Sequence, residues 1–267
     1  MRLMQLSLFS LTLMLFPSLC SAQGILWNLP EVGTQVNYEG TVSQELLRDP
    51  SVGENLSHQW EKQLELRCVG EQQAEFEGQT VDCRWIEIES KTGTRVDGNL
   101  DMGPGAHRIL KLLVPVNAVS LKLTKSNGLP KTTLPILKGY QLIDQGTAEP
   151  ISSNYVSLYP LISQVSISHH AEQATGASES VGVDSFESEI FRDKTSEESK
   201  TRKIENQTQV TVGPEMPFGA MMWEVEISTY SKGASVPVDG FVQVSTLTEQ
   251  MQAVSISQNA QAAISAQ

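Results

Sequence analysis

The chain has 267 residues, a formal net charge of −12 and 39% hydrophobic residues. That acidic balance argues against nucleic-acid binding, which needs a basic footprint to neutralise phosphates. The apolar content is enough for a packed core, so the chain is not a disordered one, and its length suits one large β-domain or two small ones.

The first residues read as an export signal. Arg2 supplies a short positive region, Leu3 to Pro17 an apolar one, and Cys20-Ser21-Ala22 small residues before Gln23. Cleavage is expected after Ala22. That leaves 267 − 22 = 245 residues and, with Arg2 gone, a net charge of −13. Cys20 is not expected to carry lipid, because Leu19 precedes it where lipoprotein signals have Gly, Ala or Ser. The expected destination is the periplasm, the cell envelope or the exterior. No later run has the length of a spanning helix, so no integral membrane segment is expected after cleavage.

Leu26 to Pro30 (LWNLP) reads as an apolar clip on a sheet edge. Gln35 to Leu46 is a predicted strand, with Val36, Tyr38, Val42 and Leu46 alternating with polar residues and Gly40 marking a bend. Arg48 to Ser57 is polar and turn-rich. Asn55-Leu56-Ser57 and Asn206-Gln207-Thr208 fit the glycosylation sequon.

Leu64 to Ser90 is the most informative stretch. Leu64, Leu66 and Cys68 share one strand face, with Glu65 and Arg67 on the other. Ile86 and Ile88 share a face of the next strand, and Glu87 and Glu89 the opposite one. Strict alternation puts Trp85 with the glutamates, so either it lies against a partner surface or a bulge flips the register. Gly70 and Gly78 are the expected turn points. Cys68 and Cys83 are expected to form a disulfide, as suits an exported chain. A bridge needs Cα atoms within about 7 Å, so it would make the two strands neighbours with Gly70 to Thr80 as a wide loop. Two separate thiols are the alternative.

Lys91 to Gly105 reads as a loop. Ala106 to Val114 (AHRILKLLV) fits both a short helix, which we favour, and a buried strand, with Pro115 as its stop. Asn117 to Pro150 reads as an irregular covering segment with one further helical turn. Val156 to Ser168 is a strand or short helix interrupted by Pro160. Val181 to Phe191 is extended, and the mixed-charge run Asp193 to Lys203 a solvated hairpin tip. Ile204 to Val212 and Phe218 to Tyr230 form a long antiparallel pair, Val236 to Met251 an edge strand, and residues 251–267 a frayed end. Trp85-Ile-Glu-Ile-Glu-Ser echoes Trp223-Glu-Val-Glu-Ile-Ser, which fits either two similar β-modules, roughly 23–100 and 165–250, or a chance similarity between two amphipathic strands. The domain plan is a signal peptide over 1–22, a β-module with a covering segment over 23–150 and a second β-module over 151–250.

Catalytic motifs are absent. There is no G-x-S-x-G, H-E-x-x-H, P-loop or G-x-G-x-x-G. Lys91-Thr92-Gly93 matches one element of penicillin-recognising enzymes, but no Ser-x-x-Lys accompanies it. His169 and His170 point to opposite faces of a strand, and with His58 and His107 elsewhere no metal is expected. Glu87 and Glu89 lie about 6.6 Å apart along a strand, a spacing that solvated strand faces produce constantly. No catalytic, cofactor or metal residues are assigned.

LWNLP, DCRWIEIES, LLVP and MPFGAMMWEVE resemble strings in a set of uncharacterised exported β-rich proteins, which implies no activity. The strand, polar loop, strand pieces are similar in architecture to the half-barrels of lipoprotein-localisation-factor-like proteins, and function does not follow from architecture. The expected fold is mainly β, or β-rich α+β, with curved antiparallel sheets in half-barrel or sandwich-like modules and a few short helices. The leading functional expectation is a non-enzymatic protein that binds an apolar small molecule or an envelope partner. A hydrolase with a dispersed site and a purely structural envelope component are the alternatives. Met216, Phe218, Met221 and Trp223, with Trp85, are the candidate apolar ligand surface; filling the core is the plainer role for Met221 and Trp223.

Overall fold

The computed structural model describes residues 26–49, 51, 53–103, 105–118, 124–126, 129–131, 136–151, 170–172, 178–181, 184–232 and 240–265. The expected signal segment 1–22 and the run Val156 to Ser168 lie outside these. The strands are β1 (Gln35–Leu46), β2 (Leu56–Phe76), β3 (Gln79–Val96), β4 (Asn99–Asp101), β5 (His107–Pro115), β6 (Thr124–Ser126), β7 (Leu129–Lys131) and β8 (Lys138–Ile143). They continue with β9 (Glu149–Pro150), β10 (His170–Glu172), β11 (Ser178–Val181), β12 (Asp184–Glu187), β13 (Glu189–Glu198), β14 (Arg202–Val212), β15 (Ala220–Ser231) and β16 (Val242–Ser257).

Among the described residues, twelve strands form one antiparallel sheet that does not close into a barrel. Its order is β10-β13-β14-β15-β16-β1-β2-β3-β5-β8-β9, with β4 attached to β3. The pairs β6–β7 and β11–β12 stand apart from it. β1 is the seam, paired with β16 on one side and β2 on the other along its whole length.

One face of the sheet carries the core. Val36 and Tyr38 of β1, Leu64, Leu66 and Cys68 of β2, and Ile86 and Ile88 of β3 bury there with Leu110 and Leu112 of β5. From the other half come Val210, Met221, Trp223, Val225 and Met251. We call this the core face and the opposite one the far face. Leu26 and Trp27 join the core, and the Trp27 amide donates to the Phe218 carbonyl at 2.8 Å.

Several expectations are corrected. Ala106 to Val114 is not a helix, because β5 pairs with β3 from His107 to Pro115 and with β8 on its other edge. A strand buried on both faces reads as a continuous apolar run, which mimics a short helix. Lys91 to Gly105 is not one loop: β3 runs on to Val96 and turns into β4 at Asp97-Gly98, both at positive φ. Val236 to Met251 is not an edge strand, since β16 lies between β15 and β1. Residues 251–257 are strand, not a frayed end.

The Cys68–Cys83 bridge is also corrected, because both cysteines are free and buried. β2 and β3 are neighbours, but a tight turn at Glu77 and Gly78 (φ 52° and 77°) joins them, not a wide loop. Cys68 stands opposite Ile86, whereas Cys83 stands opposite Gln72. That separates them by roughly 10 Å along the strands, beyond the reach of a bridge. They also join different clusters, Cys68 the main core and Cys83 a smaller one with Trp85 and Leu113.

Candidate functional site

Two polar assemblies are built into this sheet, one on each face. The first sits in the core. Lys62 shares its strand phase with Trp60, Leu64 and Leu66, so alternation carries its ammonium onto the core face. Glu249 is likewise in phase with Leu247 and Met251. The register brings them together: Gly40 stands opposite Lys62 and Met251, and Val42 opposite Trp60 and Glu249. Lys62 Nζ lies 2.6 Å from Glu249 Oε2, with the side chains 3% and 0% exposed. Trp223 Nε1 donates to Glu249 Oε1 at 2.8 Å. The Trp223 ring tilts against Tyr38, centroids 5.2 Å apart. Tyr38 donates its hydroxyl to the Ala220 carbonyl at 2.8 Å, and burial pushes that hydroxyl far above the ordinary tyrosine value.

A cavity of about 550 Å³ opens one strand phase further along, lined by Val42, Gln44, Trp60, Thr92, Thr94 and Leu247 among others. Trp60 and Leu247 each lie two residues from a member of the ion pair, so the cavity continues the row that Lys62 and Glu249 occupy. His58 stacks on Trp60 with ring centroids 5.9 Å apart.

The second assembly occupies the far face of β2, β3 and β5. Arg67 Nη2 bonds Glu89 Oε2 and lies 3.6 Å from Glu87 Oε2, while Nη1 reaches Glu65 at 3.4 Å. Lys91 Nζ is 2.8 Å from Glu89 Oε1, and His107 Nε2 is 2.9 Å from the same oxygen. Burial works to raise the Glu89 carboxyl. The Lys91 hydrogen bond, the Arg67 and Lys91 charges and the His107 hydrogen bond together outweigh it and hold the group below its ordinary value. Lys111 Nζ lies 3.8 Å from Glu87 Oε1 and 5.6 Å from the Trp85 ring centre.

Residues 258–265 cross this cluster. After β16 the chain turns at Asn259, which has φ 71°. The Ala260 amide donates to the Gly33 carbonyl at 2.8 Å. The amides of Ala263 and Ile264 then donate to the two oxygens of Glu87, at 2.7 and 3.0 Å. Lys111 donates to the Ile264 carbonyl, and the Ile264 side chain is buried.

The residues expected to form an apolar ligand surface do not gather in one place. Met216, Phe218, Met221 and Trp223 lie in the main core. Trp223 also borders a cavity of about 340 Å³ with Thr211, Met222 and Gln250. Trp85 stays on the far face with the glutamates, donates to Gln72 Oε1 at 3.2 Å and tilts against Tyr140. The bulge in this region falls between Cys68 and Gly70 of β2. Sequence reasoning assigned no role to Lys62, Glu249, Arg67 or Lys111. Their signal was a charge placed on an apolar phase, or flanked by core residues on a strand buried from both sides.

Among the described residues, no three His, Cys, Asp or Glu side chains gather as metal ligands would, and no helix is long and apolar enough to cross a membrane. Compared with family models and with curated proteins, the chain matches none.

Proposed function

We propose that this is an exported, non-enzymatic β-protein that holds an apolar ligand against the core face of its open sheet. The observation that carries the reading is the cavity of about 550 Å³ between Trp60, Val42 and Leu247. Its volume falls in the range of small-molecule sites, roughly 300–1,000 Å³. Such sites have mostly apolar walls and a few fixed polar groups. Here the apolar walls include the Trp60 ring and the Val42 and Leu247 side chains, and the polar groups are Gln44, the Thr92 and Thr94 hydroxyls and Asp101.

The Lys62–Glu249 pair fits this reading. A buried ion pair is weak evidence for stability, because desolvating two charges offsets most of their attraction. This pair lies in the same row as Trp60 and Leu247, next to the cavity but not lining it.

An anilinonaphthalene dye titrated into the full-length protein tests the proposal. Saturable, blue-shifted fluorescence is expected, with Trp60→Ala weakening it at least tenfold while the thermal midpoint changes little. Mass spectrometry of an organic extract of the purified protein should show a bound lipid-like molecule. No dye saturation together with an empty extract would remove the reading.

A further inference from the structure

We infer that the far-face cluster around Glu87 is a binding site for an extended, uncharged peptide segment, and that residues 260–264 occupy it as an exchangeable ligand. This rests on observations separate from the core-face cavity.

The first is how the segment is recognised. Its contacts are made by backbone: the Ala260 amide to Gly33, the Ala263 and Ile264 amides to Glu87, and the Ile264 carbonyl to Lys111. Of its side chains, Gln261, Ala262 and Ala263 are exposed, and Ile264 alone is fully buried. Two adjacent amides on one carboxylate, an ammonium on the next carbonyl and one aliphatic anchor make up a peptide-recognition pattern. Charge-assisted hydrogen bonds of this kind are stronger than neutral ones.

The second is that the cluster's charges are matched without the segment, although Glu87 accepts hydrogen bonds from it and Lys111 donates one to it. Glu65, Glu87 and Glu89 are matched one for one by Arg67, Lys91 and Lys111. Besides its two amide donors, Glu87 has Arg67 at 3.6 Å and Lys111 at 3.8 Å as ion-pair partners on β2 and β5. An opened site exposes a paired carboxylate to water, not an isolated buried charge, which is the costly case. The Arg67 Nε–H is buried and has no partner among the described residues, so the site holds a donor that residues 260–264 do not use.

The third is composition. Ser257 to Ser265 (SQNAQAAIS) carries no charge, no proline and one large apolar residue. A charged segment would disturb the balanced cluster, and a proline at either amide position would remove a donor to Glu87.

The test uses the full-length protein and a fluorescein-labelled, amidated peptide of residues 257–265. Wild type should bind it weakly, because its own segment competes. Ile264→Asp should bind at least tenfold tighter, and adding Glu87→Gln to that variant should reduce binding at least tenfold. Ala263→Pro provides a second undocked variant should Ile264→Asp lose its native far-UV spectrum. Hydrogen exchange gives an independent readout. The Ala263 and Ile264 amides should exchange at least a hundredfold faster than those pairing β1 with β2. Equal peptide binding by the wild type and both variants, or exchange as slow as in β1, would overturn the inference.

Discussion

Burial on the core face pushes the Cys68 thiol up to about 11. At pH 8 roughly one molecule in a thousand then carries the reactive thiolate. Burial also raises the Cys83 thiol. Native protein should therefore resist iodoacetamide, while protein unfolded in guanidinium without reductant should take up a label on each cysteine. Failure to label until reductant is added would mean that the β2–β3 register is wrong. Glu89 gives the opposite sign. Its carboxyl lies below the ordinary 4.5 in the folded chain, so the folded state binds its proton less readily than the unfolded one. The stability it contributes is complete above the unfolded value and is lost as pH falls through the lower folded value. Glu89→Gln should accordingly lose less stability than wild type between about pH 5 and about pH 3, read as urea midpoints. Parallel pH profiles for the two proteins would show that Arg67 and Lys91 do not hold this carboxylate.

The alternation of apolar and polar residues made most strands readable. β1, β14 and β15 follow directly from period-2 patterns, and Asp97-Gly98 is the kind of dipeptide that turns a hairpin. β5 was harder because both its faces are covered, so period 2 disappears. β16 read as an edge because the residues it turns to the core are small or polar, among them Ala253 and Glu249. The candidate sites were legible only as anomalies. Lys62 breaks the row Trp60, Leu64, Leu66, and Glu249 breaks the row Leu247, Met251, but nothing in one strand tells that the two meet across β1. Cutting one partner exposes that dependence. Lys62→Met strands Glu249 in the core and should cost about 3–5 kcal/mol. Adding Glu249→Gln keeps an acceptor for Trp223 Nε1 and removes the charge, so the double variant should be more stable than Lys62→Met alone. Denaturant midpoints of the two proteins check this, and a double variant weaker than the single would show that the pair is not isolated from other charges.

At the scale of the molecule, the similarity of the Trp85 and Trp223 segments dissolves on inspection of their faces. Ile86 and Ile88 enter the core while Trp85, Glu87 and Glu89 lie on the far face. In β15 it is Trp223 and Val225 that enter the core. The two strings are one residue out of phase, which a duplicated module would not tolerate because a one-residue shift exchanges every side chain between faces. What joins the two halves is β1. Its pairing to β16 is close enough that a Cβ on Gly40 would fall 1.9 Å from the Gln250 carbonyl oxygen and 2.7 Å from the Met251 sulfur. The carbonyl belongs to the backbone of a central strand and has little freedom to retreat. One large sheet whose main core draws on both halves predicts one cooperative transition, with tryptophan fluorescence and far-UV circular dichroism coinciding in denaturant. Trp60 and Trp85 report from the β2–β3 side of the seam and Trp223 from the other, so independent modules would separate the two signals. Gly40→Ala sharpens the test. Overpacking at a rigid contact costs about 1–3 kcal/mol, and a seam shared by both halves should pass that loss to the single transition as a lower midpoint with coincident probes. Two transitions in the wild type, or a Gly40→Ala variant in which only one half melts early, would mean that β1 does not couple the halves.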